Sequence, residues 1–274
     1  MDAMTDVAAG QETFGRMLRE YRRTRRLSQL DFSLHADISQ RHLSFLESGR
    51  AKPSREMVLQ LAQALDVPLE GRNRLLLAAG FAGVYPRRPI DASSMAPVRE
   101  ALTRILAQHE PFPAFAVDRA WNLIQANAAT PRMMDALGGL EAMVARVGGP
   151  PNILKLTLHP EGMRPYIANF DEIAAPLLAR TAREALEHPG VDAVLQEVLR
   201  YPGLPVRGRH VEWSEPMLPI LPTCFRVGDL EIRLFTTLTS FGTPLDVTAD
   251  ELRIECLFPA DAATESVLRA LAAT

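Results

Sequence analysis

The sequence predicts an all-α N-terminal domain of about five short helices, followed by a larger α+β domain with an antiparallel sheet and a helical insertion. Three observations carry that reading. From Phe14 to Ala79 apolar residues recur at three- and four-residue spacing, interrupted by cap and turn residues, as in short amphipathic helices. Residues 82–94 hold Pro86, Pro89 and the pair Arg87–Arg88, a composition that breaks helix and strand alike. The last third alternates apolar and polar residues over short runs, as half-buried strands do. The resulting plan is a first domain at 13–80, a linker at 81–96 and a second domain at 97–272.

The first helix is expected from about Thr13 to Arg25, because Phe14, Met17, Leu18 and Tyr21 form one stripe. Ser28 is placed to cap a second helix, Gln29–Ala36, and Ser39 a third, Gln40–Ser48, that ends at Gly49. Between them Asp37 occupies a turn, a residue type that tolerates the left-handed conformation. Pro53–Ser54 opens a fourth helix running to Leu65, and Pro68 stops it before a fifth, Glu70–Ala79. The second domain opens with a helix over Pro97–Gln108. Two short strands follow around Asp118–Arg119, then a helix-rich stretch from Ala128 to Arg200. Strands are expected at Val211–Trp213, Met217–Val227, Leu230–Leu238 and Leu252–Phe258, with Gly228–Asp229 as a hairpin turn and a last helix at 261–272.

Charge is divided unevenly. The net charge is −3, yet residues 1–88 carry +4 and residues 89–274 carry −7. A small basic head on an acidic body suits a nucleic-acid partner better than the total does. No apolar run reaches the roughly 18–20 residues a membrane span needs. The opening MDAMTDVAAGQETFGRM lacks a basic stretch before an apolar core, so the expected compartment is the cytoplasm and no membrane partner is expected. Cys224 and Cys256 lie in apolar segments without metal-ligand spacing and are expected to be reduced thiols.

The residues that carry chemistry lie at 28–52. Two short helices joined by a tight turn, the second led by polar side chains, make a helix-turn-helix. The second helix must present hydrogen-bonding groups to the major groove and an apolar face to its partner. Leu43 and Leu46 supply the inner face, leaving Gln40, Arg41 and Ser44 outward. Gln and Arg forks match adenine and guanine edges. Ser28 and Ser39 bring helix N-termini near phosphates, and Arg50 and Lys52 are placed to neutralise them.

The stretch LREYRRTRRLSQLDFSLHADISQRHLSFLESGRAKPSREMVLQLAQALDV resembles the XRE (Cro and phage-repressor) helix-turn-helix family over about residues 14–80. The resemblance implies that Gln29 contacts the DNA backbone or an adjacent base, and that Ser39, Gln40 and Arg41 lead the recognition helix; His42 is counted among the DNA-contacting residues. It also implies an internal ion pair between Arg22 and Glu47. Phe45 departs from the family, where a polar base-reading residue is common; contact with a thymine methyl and simple packing both stay open for it. The pieces FPAFAVDRAWNLIQANAA, NILKLTLHPEGMRPYIANFDEIA and TSFGTPLDVTADELRIECLFPADAAT resemble the MmyB-like ligand-binding domain, a PAS-related module, over about residues 97–270. That likeness implies a sensor of fatty acids or other small apolar molecules. Phe115, Trp121, Tyr166, Phe170, Phe235 and Phe241 are then candidates to line a pocket, or simply to fill the core.

The function expected is a sequence-specific DNA-binding regulator, a homodimer on a palindromic operator of double-stranded DNA, controlled by a small apolar ligand such as a fatty acid. The alternative is a ligand- or partner-binding scaffold whose helical head does not read DNA. No enzyme and no metal or other cofactor is expected. Glu184 and His188 have helical spacing but too few companions for a metal, and a solvated helix face is the simpler reading. Lys155 is the sole lysine after residue 52 and sits in ILKLTL, a poor context for a Ser–Lys self-cleaving dyad.

Overall fold

The structure, a computed structural model, describes residues 13–186, 188–207, 210–211 and 220–273. Two compact units divide it. One draws on the chain up to Pro89 and on Thr243–Asp250, the other on the chain from Ile90 to Gly242 and from Glu251 onward.

The first unit has the five helices expected: α1 (Phe14–Thr24), α2 (Gln29–His35), α3 (Gln40–Glu47), α4 (Arg55–Ala64) and α5 (Leu69–Ala78). Their apolar stripes close on one core in which Leu18, Phe32, Leu43, Leu46 and Leu61 are wholly buried. Ser28, Ser39 and Ser54 each accept a backbone N–H three residues on, satisfying a donor that the helix start leaves free. Asp37 takes the left-handed conformation at φ 51° that the turn between α2 and α3 requires. The α5 start lacks a side-chain cap of its own at Pro68. Its first N–H, on Leu69, donates instead to the Asp250 carboxylate at 3.0 Å. Arg88 pairs with Asp246 at 3.1 Å in the same segment. Phe81 and Val84, in the proline-containing stretch, pack against the helical core.

The second unit starts with α6 (Ala96–Gln108), then the hairpin β1 (Ala114–Val117) and β2 (Leu123–Ala126). A helical stretch follows: α7 (Ala129–Ala136), α8 (Leu140–Val147), α9 (Ile153–Leu158), α10 (Phe170–Ala185) and α11 (Pro189–Val198). The short pair β3 (Val206–Arg207) and β4 (His210–Val211) precedes β5 (Thr223–Val227) and β6 (Leu230–Thr239). Along the chain α12 (Val247–Glu251) follows, lying up to Asp250 in the first unit, and β7 (Arg253–Pro259) and α13 (Ala262–Ala272) complete the second. Residues 212–213 of one expected strand and 217–219 of the next lie outside the described residues; the described part of the second begins at Thr223 rather than continuing from residue 220.

Five strands form one antiparallel sheet in the order β2-β1-β7-β6-β5. Gly228, at φ 56°, turns the β5–β6 hairpin. Period-2 alternation sorts the side chains of the central strands to two faces. Ala114, Ala116 and Ile254 join Leu102 and Leu106 of α6 on one face. Phe115, Val117 and Leu257 join the larger core formed with α7, α9 and α10 on the other. Buried Asn127 ties the hairpin to α7: its Oδ1 accepts from the N–H groups of Ala114 and Thr130 at 3.0 and 3.2 Å.

Candidate nucleic-acid interface and ligand cavity

The tip of α3 is built by its buried side. Leu43 and Leu46 have no exposed surface, which fixes the helix and leaves Gln40 and Arg41 exposed at its first turn. Ser39, also exposed, spends its hydroxyl oxygen on the His42 N–H at 3.2 Å. His42 and Ser44 are half-buried. Ser28 is exposed and forms a reciprocal cap with Asp31: its Oγ donates to Asp31 Oδ2 at 2.6 Å and accepts from the Asp31 N–H at 3.1 Å. Those bonds from Ser28 hold the Asp31 carboxyl below its ordinary range.

Phe45 serves as a platform between two cations. The Arg41 guanidinium lies 5.4 Å and that of Arg50 6.0 Å from the centre of its ring, within reach of cation–π attraction. The backbone sets this up, because the N–H groups of Arg50 and Ala51 both donate to the Phe45 carbonyl and Gly49 turns at φ 75°. Lys52 follows, exposed.

Behind the tip is a buried charge cluster. Glu47 is 4% exposed. It accepts from Arg22 Nε at 2.6 Å and Nη2 at 2.9 Å, and from Gln29 Nε2 at 2.8 Å. Arg19 adds an ion pair at 3.5 Å. Burial opposes ionisation of Glu47, but the bonds from Arg22 and Gln29 and the charges of Arg22 and Arg19 outweigh it and lower its pKa. The bidentate geometry pins α1 to α3. Gln29, half-buried, thus has its amide nitrogen committed inside the protein. Gly15 was not singled out from sequence; a Cβ there would meet the Leu46 carbonyl oxygen at 2.5 Å, so α1 and α3 approach backbone to backbone.

A second site lies within the sheet-containing unit. The inner face of the sheet and helices α7, α9 and α10 line a partly open cavity of about 330 Å³, within the range of small-molecule sites. Its walls are mostly apolar: Phe115, Trp121, Met133, Leu156, Leu177 and Leu257 among others. Of the six aromatic candidates only Phe115 and Trp121 line it. Phe170 belongs to the core, under the Arg164 guanidinium at 4.4 Å, and Tyr166 is packed against that core. Phe235 lies between the lining residues Leu234 and Thr236 in β6, so alternation turns it away, to stack on Phe258 at 5.3 Å. Phe241 packs with the α6 face.

Among the described residues two ionisable side chains line the cavity, Arg180 and Glu255, neither of them named from the sequence. Arg180 stacks over Trp121 at 5.0 Å and donates from Nε to Glu184 at 3.1 Å. Glu184 also receives Arg253 at 2.8 Å. Glu184 and His188 are therefore half-buried rather than on a solvated helix face. Glu184 is part of this network, and the His188 Nε2 is buried with no hydrogen-bond partner among the described residues. Burial first, then the Arg119 charge, lowers the His188 pKa to about 4. Trp121 adopts φ 69°, a conformation a bulky residue rarely holds, on the turn that brings its ring to the cavity wall. Cys224 and Cys256 are free thiols. Among the described residues no group of three or more His, Cys, Asp or Glu could hold a metal, and no helix is long and apolar enough to cross a membrane.

A head with a polar helix tip and a body with an apolar cavity define a helix-turn-helix transcription regulator with a ligand-binding domain. Comparison with known families agrees: residues 18–71 match a helix-turn-helix model. Residues 98–271 match the model of the MmyB-like transcription regulator ligand binding domain, and the chain belongs to that family. An uncharacterized HTH-type transcriptional regulator of Bacillus subtilis (strain 168), RghRB, is 36% identical over 81 residues, or 29% of this chain and 56% of that protein. The chain thus spans about half the length of the curated relative it matches.

Proposed function

We propose that this protein reads duplex DNA with the first turn of α3, as a homodimer on a palindromic operator, and that a small apolar ligand such as a fatty acid controls it from the cavity. The observation that carries the reading is Gln40 and Arg41 exposed on a helix whose Leu43 and Leu46 are fully buried. That is the arrangement base reading in the major groove needs. Arg41, Arg50 and Lys52 supply positive charge at and just beyond that helix. A dimer is favoured because one recognition helix reads few base pairs, and two-fold pairing doubles the site. The cavity favours an apolar ligand by its lining, and an acyl chain with a carboxylate suits Arg180 at its wall. Control requires only that the ligand bind the DNA-competent and incompetent states unequally. β6 and β7 both line the cavity, and the segment that caps α5 lies in the connection between them, a covalent route for such control.

Selection of bound sequences from a random duplex pool tests the reading. A palindromic consensus is expected, and no enrichment refutes DNA reading. On that consensus Arg41→Ala should cost about 1–3 kcal/mol at one base position. Lys52→Ala should weaken all sequences alike and reduce the salt slope by about one. Equal losses on every sequence for Arg41→Ala would reassign Arg41 to phosphate contact.

A further inference from the structure

Glu255 is an anomaly in the cavity. It sits near the middle of the sheet, opposite Phe115 on β1 and Leu238 on β6, both of which line the cavity with it. It is 7% exposed. Its backbone is paired with both flanking strands, and no described residue gives its carboxyl a hydrogen bond or an ion pair. The two arginines that could do so, Arg180 and Arg253, are both committed to Glu184. A carboxyl placed so is costly among apolar side chains, and its place on the cavity wall is where the polar end of a ligand would meet it.

We propose that Glu255 is a ligand-recognition residue that shares a proton with the carboxylate head of an acyl ligand, the charge of that head facing Arg180. The inference rests on the apolar-ligand reading and adds the head group and its proton. The head of such a ligand meets a guanidinium whose Nη groups have no bond to a described residue, and a carboxyl that can donate only when protonated. Binding at pH values where Glu255 is ionised then takes up one proton from solvent: the Glu255 carboxylate becomes a carboxylic acid, and its O–H donates to the ligand anion. The charged groups acting on Glu255 are Arg180 and Glu184 from α10 and Arg253 from its own strand; Phe115 and Leu238 on the flanking strands are neutral. Cys256, next in β7, points to the opposite face. Burial, opposed by the two arginines and aided by Glu184, pushes the Glu255 carboxyl up to about 7, so its proton is at hand near neutrality.

The test is calorimetric titration of the full chain with decanoate, and separately with decanol, from about pH 6 to about pH 9. Decanoate affinity should hold steady below about pH 7 and fall about tenfold per pH unit above it, with proton uptake approaching one per site. Decanol affinity should not fall in that way. Glu255→Gln keeps a donor without a proton to gain, so its decanoate affinity should be level across the range. Arg180→Met should weaken decanoate at every pH and spare decanol; thermal melts check that both variants fold. Wild-type decanoate binding independent of pH overturns the inference while leaving the apolar-ligand reading intact. Decanol binding tighter than decanoate below about pH 7 also overturns it, since a ligand anion would then gain nothing from the Glu255 proton and the Arg180 charge. No binding of either probe at any pH removes the reading and the inference together.

Discussion

Replacing Glu255 by Gln should stabilise the ligand-free protein, and only above a definite pH. The unfolded carboxyl ionises at its ordinary value of 4.5, whereas the folded one keeps its proton up to about 7. Across that window the unfolded state sheds a proton that the folded state retains, so stability falls as pH rises from 4.5 and levels off above about 7. At about 1.36 kcal/mol per pKa unit the loss amounts to about 3 kcal/mol. Because the side chain is 7% exposed, solvent screening removes little of it. Gln has the shape of the protonated acid and no proton to lose. The variant should therefore match the wild type near pH 4.5 and exceed it by up to about 3 kcal/mol at pH 8, or about 6–12 °C in Tm for a unit of this size. Thermal melts of ligand-free protein at a series of pH values measure this. A gain that does not vary with pH refutes the reasoning. So does a loss at pH 8, which would mean that the ionised carboxyl is paired with Arg180 in the folded state.

Four other outcomes follow from the head. Glu47→Gln strands Arg22 in a buried site and should cost about 3–5 kcal/mol in chemical denaturation at neutral pH; a cost below about 1 kcal/mol would show the pair to be incidental. In the wild type, the contribution of Glu47 should be complete above its unfolded value of 4.5 and disappear as pH falls through its lowered folded value, seen as acid unfolding of the head. Phe45→Ala removes the ring under Arg41 and Arg50 and should weaken operator binding by about 1–2 kcal/mol through both cations, measured by fluorescence anisotropy. A loss confined to sites with thymine at one position would instead assign Phe45 a methyl contact. Gly15→Ala forces a Cβ into the Leu46 and Glu47 carbonyls and should destabilise the head by about 1–3 kcal/mol, although alanine is the better helix former.

The head was legible in the sequence because its information is local. Ser28, Ser39 and Ser54 declare helix starts, Asp37 and Gly49 declare turns, and the Leu43–Leu46 spacing declares which side of α3 is left outward. What escaped was a fact between segments: no period in the chain reveals that Gly15 must be bare because α3 carbonyls lie against it. The cavity was legible only in part for the same reason. Alternation separates Leu234 and Thr236 from Phe235, but it cannot tell which face of β6 looks into the cavity, so an aromatic residue in β6 was as plausible a wall as its neighbours. Likewise no local pattern reveals the acceptor at the start of α5, since Asp250 comes from a segment far along the chain.

The same distinction explains why the polar groups of the cavity were missed. Glu255 reads in sequence as the solvated member of the alternating run Arg253–Pro259, because on a sheet with one wet face a charged residue marks that face. Here both faces are covered, Ile254 and Cys256 by the α6 side and Glu255 and Leu257 by the cavity side. The usual inference from charge to solvent therefore fails. A charged residue on a doubly covered strand is instead a signal of something else at its tip. In this protein the remaining partners do not supply it: the nearby arginines bond Glu184, and the flanking strand positions are apolar. On the proposed role of Glu255, the trace of such a site in the sequence is one acidic residue among apolar neighbours on a central strand, β7, with an arginine, Arg180, on a helix that lines the same cavity.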